Sequence, residues 1–252
     1  MKSELMDCRS FSGSNGQKRK KLGVIGGMGP AATALFFGLL TKNTHADRDQ
    51  DHLETYIISR PAIPDRTAFI LGKSKENPVP AIIETGNKLV ELGADVIAIP
   101  CLTSHFFYDE LSEGIHAPII HLVREIGSFL HRQGISRAGL MATDGVVQSG
   151  LFHTELDAFN IRTIAPSPDK QRQVMDLVYN SIKANKPFDL NTFLSIENEL
   201  RENGAQSILL ACTELSLIKR DCRLSAGYVD ALEVLAMRCI EICGACTVDA
   251  EV

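Results

Sequence analysis

The sequence predicts an α/β fold with parallel sheets, built as a diverged tandem duplication. Strand and helix signals alternate along its 252 residues. Two apolar runs, 95–99 and 207–210, read as buried parallel strands. Each delivers a cysteine and a threonine at its carboxyl end, as Pro100-Cys101-Leu102-Thr103 and Ala211-Cys212-Thr213-Glu214. Each half also opens on a glycine-ended strand, over 22–29 in the first and 137–145 in the second. Gly29 lies 72 residues before Cys101 and Gly145 lies 67 before Cys212, so the halves keep nearly the same spacing.

The elements follow in order. Strand 22–25 leads to a helix over 30–43, opened by Pro30, whose missing N–H does no harm at a first helical position. Strand 55–59 is next. Its successor, Arg60 to Thr67, holds Pro61 and Pro64, which exclude a regular element and make a loop above a strand end. A helix over 79–92, the strand ending at Ile99 and a helix from about Ser104 close the first half. In the second half, short strands are expected at 118–121, 138–142 and 161–165. Helices over 151–159, 168–184 and 190–203 separate these from the strand ending at Leu210. An amphipathic helix from about Tyr228 to Ile242 ends the chain and is expected to return onto the first domain. The division expected is a disordered leader over 1–21, a first domain of 22–116 plus 218–246, and a second of 117–217.

Composition narrows the function classes. A hydrophobic share of 44% suits packed cores, and a net charge of −5 leaves no broad basic face for nucleic acid. Lys18 to Lys21 is a basic exception at the end of a Ser- and Gly-rich leader. No apolar run approaches the roughly 20 residues of a membrane span. The seven cysteines are odd in number and irregularly spaced, which fits a reducing, cytoplasmic setting.

Several motifs compete. Gly27-Met28-Gly29-Pro30-Ala31-Ala32 fits a relaxed dinucleotide fingerprint, yet Arg60 follows the second strand where a ribose-binding acid is needed. The alternative use of this turn is as exposed N–H groups for a small carboxylate, which makes Met28 and Gly29 candidate binding residues. Cys239, Cys243 and Cys246 have iron–sulfur-like spacing, but Cys239 and Cys243 are one turn apart on an amphipathic stretch and read as buried apolar residues. The seven histidines form no metal-ligand pattern. Cys101 and Cys212, each just before a helix, would have thiol pKa values drawn down from about 8.5 toward neutrality. Two such thiols, one from each half, could reach one carbon from opposite faces.

With these residues in view the chain resembles the aspartate/glutamate racemase superfamily, on its aspartate racemase branch. The resemblance runs from Leu22 to about Ile242 and rests on 25–30, 48–52, 63–67, Cys101, Thr103, His105, 142–145 and 212–214. It implies two similar α/β domains related by a pseudo-twofold axis, with the active site in the cleft between them. It further implies a homodimer, a small acidic amino acid as substrate, no pyridoxal phosphate or other cofactor, and no metal. Cys101 and Cys212 would be the acid/base pair. Arg66 and Lys183 would bind the substrate's side-chain carboxylate, and Thr103, Thr213 and Glu214 would complete the site. His105, four residues past Cys101, is expected to share its helix face and support it. One position departs from the family pattern: Leu102 stands where an asparagine usually follows the first cysteine. A diacid isomerase or decarboxylase of the same superfamily, and a silent amino-acid-binding protein, remain the alternatives.

Overall fold

In the computed structural model, residues 19–224 and 226–248 are described. The expected leader and Cys8 fall outside them except at its end, where the Lys20 N–H donates to Cys243 O at 3.1 Å and the Lys21 N–H to Asp95 at 2.8 Å.

The first half runs β1 (Leu22–Gly26), α1 (Pro30–Asn43), β2 (Thr55–Ser59), α2 (Arg66–Ile70), α3 (Val79–Glu91) and β3 (Val96–Ala98). A 3₁₀ segment, Leu102–Phe107, leads into α4 (Tyr108–Gly114), and α5 (Leu122–Arg132) follows. The second half runs β4 (Arg137–Met141), α6 (Asp144–Gln148), α7 (Leu151–Asp157), β5 (Arg162–Ile164) and α8 (Pro168–Asp176). A π-helical segment, Leu177–Ile182, precedes α9 (Leu190–Glu202), β6 (Ser207–Leu210), α10 (Leu215–Cys222), β7 (Tyr228–Asp230) and α11 (Ala231–Ile242).

The strands form two parallel sheets, ordered β2-β1-β3 and β5-β4-β6-β7. In each, the first strand of its half lies between the second and third, so the order itself repeats. Beside β3, a single parallel bridge between Ile97 and Ile119 occupies the place that β7 takes beside β6. The run 118–121, read as a strand of the second half, thus pairs with the first sheet. Tyr228–Asp230, read as the start of the last helix, is instead a strand of the second sheet, and α11 begins only at Ala231. Asp230 caps α11 by accepting the Leu232 N–H at 2.8 Å, which accounts for that start.

Alternation along the strands sorts the core. Leu22, Val24, Val96 and Ala98 face an inner cluster shared with Leu140, Leu209 and residues of α5 and α11. Ile25 and Ile97 join an outer cluster with α3, while Ile208 and Leu210 join another with α9. Helix α11 lies against both α1 and α5. Burying the middle of the molecule this way leaves the carboxyl ends of both sheets turned toward a common space. No helix among the described residues is long and apolar enough to cross a membrane.

Candidate active site

Both cysteines reach that space by the same local route. Strand β3 ends at Ala98, and Cys101 follows as the residue that opens the 3₁₀ segment; the Ser104 N–H donates to its carbonyl at 3.1 Å. Strand β6 ends at Leu210, and the Leu215 N–H closes a turn onto Cys212 O at 2.9 Å just before α10. Both thiols are free, buried to 6% exposure, and line one small cavity.

The first half supplies Met28, Arg66, Leu102 and Thr103 to the same cavity. Met28 arrives on the glycine turn after β1. Gly27 there has φ +91°, and a Cβ would come within 2.4 Å of Arg60 N, so only glycine lets the turn sit against the β2 loop. Gly29 closes on the opposite half, since a Cβ on it would lie 3.3 Å from Glu214 Oε1.

Arg66 is the first residue of α2, whose start is capped by Asp65 accepting the Ala68 N–H at 2.9 Å. The Pro-containing loop thus ends in a short helix and not in irregular chain. Arg66 donates to Ile63 O at 3.2 Å and Pro64 O at 2.9 Å, and its buried Nε has no hydrogen-bond partner. Burial works against its charge, but the facing Cys101 sulfur, Asp65 and Tyr179 more than offset this and hold the guanidinium above its ordinary pKa. Arg66 also satisfies two carbonyls of its own loop.

From the second half come Lys183, Thr213 and Glu214. Lys183 follows the π-helical segment; its Nζ lies 4.2 Å from the Tyr179 ring centre and 4.0 Å from Glu214 Oε1. Burial opposes this charge too, and Glu214, Cys212, Tyr179 and Cys101 together outweigh it, so the ammonium is held above its usual pKa. Glu214 Oε2 accepts from the Cys212 thiol at 3.0 Å and from the Thr213 hydroxyl at 3.4 Å, while Oε1 is buried without a hydrogen bond.

Two expectations are corrected. The Cys212 thiol is not drawn toward neutrality: burial first and the Glu214 carboxylate second push it well above the ordinary thiol range, and Lys183 only partly opposes them. His105 does not reach the cavity. The segment after Cys101 is 3₁₀, in which residues three apart eclipse, so the fourth residue leaves the cysteine's face. The ring is fully buried against Ile99 O at 3.3 Å and beside His121, and burial followed by that neighbour drives its pKa down to about 3.

The structure also adds residues that had no assigned role. Thr143 links the halves, bonded to Thr67 at 3.3 Å and Thr103 at 3.2 Å. Tyr179 lines the cavity and donates to Asp65 at 3.1 Å. Tyr179 stands four residues before Lys183, a spacing that puts the two on one helical face and could have singled it out. Cys239 and Cys243 are buried on the inner core, where burial pushes the first thiol well up and the second up to about 11. Among the described residues no group of three or more His, Cys, Asp or Glu is placed to hold a metal ion.

The cavity is lined by two thiols, two cations and one carboxylate. It suits proton transfer at a carbon next to a carboxylate. The family model for Asp/Glu/hydantoin racemases matches residues 25–239. The aspartate racemase of Picrophilus torridus superposes with a TM-score of 0.80 at 31% identity, covering 90% of this chain and 96% of its own. The broad specificity amino-acid racemase RacX of Bacillus subtilis is 25% identical over 224 residues, 85% of this chain and 94% of RacX. Glutamate racemase from Francisella tularensis, solved with D-glutamate, shares the fold at a TM-score of 0.61 and 16% identity, covering 89% of this chain and 81% of its own.

Proposed function

The chain belongs to the Asp/Glu/hydantoin racemase family, and within it we propose a cofactor-independent aspartate racemase whose acid/base pair is Cys101 and Cys212. The observation that carries the reading is the convergence of two free thiols, from matching strand ends of two repeated sheets, on one cavity that also holds Arg66 and Lys183.

The mechanism follows from this geometry. An amino-acid α-hydrogen is very weakly acidic, so a thiolate removes it only if the charge that develops on the carboxylate meets preorganised donors. The Thr103 hydroxyl, the Thr213 hydroxyl once it turns from Glu214, the Met28 and Gly29 N–H groups of the glycine turn, whose Gly27 N–H is held by Thr33, and the N–H after each cysteine are the donors assigned here. Glu214 Oε1, buried and unbonded, would accept the substrate ammonium. The side-chain carboxylate would meet the unpartnered Nε edge of Arg66, with Lys183 as a second cation. One sulfur then takes the α-proton from one face while the other returns a proton from the opposite face, and the centre inverts. This step uses no electron sink beyond the held carboxylate.

The test is to incubate purified protein with L-aspartate and D-aspartate separately and follow both enantiomers by chiral chromatography, with glutamate and a neutral amino acid alongside. The reading expects each aspartate enantiomer to approach an equal mixture. Interconversion of the neutral amino acid but not of aspartate would move the proposal to a less polar substrate, the direction in which Leu102 would bias the pocket. A homodimer and a cytoplasmic location complete the proposal.

A further inference from the structure

Nothing in a two-thiol mechanism says which sulfur carries the proton before substrate arrives. Here the two thiols stand in opposite charge environments. The Cys212 sulfur is 3.0 Å from Glu214 Oε2, and the same carboxylate's other oxygen is buried without a hydrogen bond. Cys101 faces the Arg66 guanidinium across the cavity. We propose that Glu214 is a positioning residue that pins the shared proton on Cys212, so that the resting enzyme holds its base at Cys101 and its acid at Cys212. This rests on the reading of the two cysteines as the acid/base pair.

An ionised Cys212 would lie in contact with a buried carboxylate, and a hydrogen bond from the thiol would be lost with its proton. The groups that face Cys212 are Glu214 on its own segment, Lys183 beyond the π-helical segment and, across the cavity, Arg66, Cys101 and Tyr179. Lys183 is the cation nearest Glu214, 4.0 Å from Oε1, and it only partly opposes the upward push on the Cys212 sulfur. It therefore screens Glu214 without replacing it as the sulfur's partner. Burial acts in the same direction as Glu214, and both push the Cys212 thiol upward.

A consequence for turnover follows with protons balanced. When Cys101 takes the α-proton and Cys212 gives one up, the enzyme is left with a Cys101 thiol and a Cys212 thiolate beside Glu214. Repulsion between the two anions then drives the return, in which Cys212 regains a proton from water and Cys101 loses one to water. The enantiomer whose α-hydrogen points at Cys101 therefore meets the resting form, and its mirror image meets only the form that must be reset.

The experiment needs no substrate, which keeps its outcome separate from that of the racemase reading. The full chain is alkylated with iodoacetamide at a series of pH values, and the rates at Cys101 and Cys212 are read separately by peptide mass spectrometry. In the wild type Cys101 should react at least tenfold faster than Cys212 near neutral pH. Glu214→Gln removes the anion and leaves Lys183 as the nearest charge, so the Cys212 midpoint should fall by about one pH unit or more while the Cys101 rate near neutral pH is unchanged. A substitution that merely opened the cavity would raise Cys212 rates at every pH with no midpoint shift, and that result would overturn the proposal. If Glu214→Gln fails to fold, Raman detection of the S–H stretch in Cys101→Ala and Cys212→Ala proteins at neutral pH decides the matter. Because the chain's other cysteines also contribute S–H bands, each variant is read as a difference spectrum against the wild type: one thiol's intensity lost in Cys212→Ala and none lost in Cys101→Ala supports the proposal, and any other pattern overturns it.

Discussion

The Tyr179 hydroxyl donates to Asp65 at 3.1 Å, joining the π-helical segment of the second half to the cap of α2 in the first. Asp65 in turn holds the start of the helix that carries Arg66, and the Tyr179 ring lies under Lys183. Burial raises the Asp65 pKa, but the Ala68 N–H and the Lys183 and Arg66 charges outweigh it, so the carboxylate stays ionised and a strong acceptor. One contact thus sets the spacing between the two cations that would grip a side-chain carboxylate.

Tyr179→Phe removes that bond and keeps the ring beneath Lys183. The expected loss is about 1 kcal/mol, the worth of one hydrogen bond, seen as a rise in KM for aspartate with kcat little changed. Steady-state kinetics in both directions check it. An equal fall in kcat and kcat/KM would place Tyr179 in the chemical step.

Arg66→Ala should cost about 2 to 5 kcal/mol in transition-state stabilisation for aspartate, because the substrate's distal carboxylate would be left buried without its fork of donors. Since Arg66 also satisfies the carbonyls of Ile63 and Pro64, a further loss of about 1 to 3 kcal/mol in folding stability is expected. Denaturant unfolding separates the two effects. Unchanged aspartate kinetics would make Arg66 a loop anchor alone.

Leu102 lines the cavity next to Cys101 at 2% exposure. Leu102→Asn should raise kcat/KM for aspartate by an amount equal to one hydrogen bond to a charged group, about 1.5 to 3 kcal/mol, if the leucine weakens an aspartate site. A fall with aspartate, together with a fall for a less polar amino acid, would show that the leucine shapes the pocket for the latter.

Much of this was legible from the chain. Pro30 after a glycine-ended strand marks the start of α1, and the paired Cys-Thr strand ends mark the two positions that meet in the cavity. Other parts were hidden by their brevity. The strand Tyr228–Asp230 has three residues and gains its identity from pairing with β6, a long-range contact that no local pattern carries. Helix α5 went unassigned although Leu122, Val123, Ile126 and Leu130 keep a helical period, because His121 caps it in place of the usual Ser, Thr or Asp. His105 would share the cysteine's face in an α-helix, but the segment after Cys101 is 3₁₀ and turns it away. The Cys212 thiol departs from a lowered pKa for a different reason: a helix start draws it down, but its burial and then the carboxylate two residues on push it up.

His105 gives the fold a pH signature. Its pKa is about 3 in the folded protein and about 6.5 in the unfolded chain, so the unfolded chain binds more protons below pH 6.5. Stability is full above that pH and falls as the pH drops from 6.5 toward 3, by about 2 kcal/mol at pH 5. Asp230, raised to about 6 first by burial and then by Glu233, acts with the opposite sign and adds about 1 kcal/mol over the same interval. The wild type should therefore lose about 1 kcal/mol between pH 7.5 and 5, whereas His105→Gln, which leaves the buried and lowered His121 to oppose Asp230, should lose distinctly less than the wild type or gain stability. Urea unfolding at the two pH values measures the difference.

The central claim is that Cys101 and Cys212 are the two proton carriers, and α-proton exchange in D₂O tests it most directly. Serine keeps the size of cysteine, but its hydroxyl stays protonated near neutral pH and cannot replace a thiolate. Cys101→Ser and Cys212→Ser are each incubated with L-aspartate and D-aspartate separately, deuterium at the α-carbon is followed by NMR, and circular dichroism confirms the fold. The account predicts that neither variant racemises aspartate, and that any residual exchange favours opposite enantiomers in the two proteins. Racemisation near the wild-type rate by either serine variant would make that cysteine a packing residue and contradict the two-thiol mechanism.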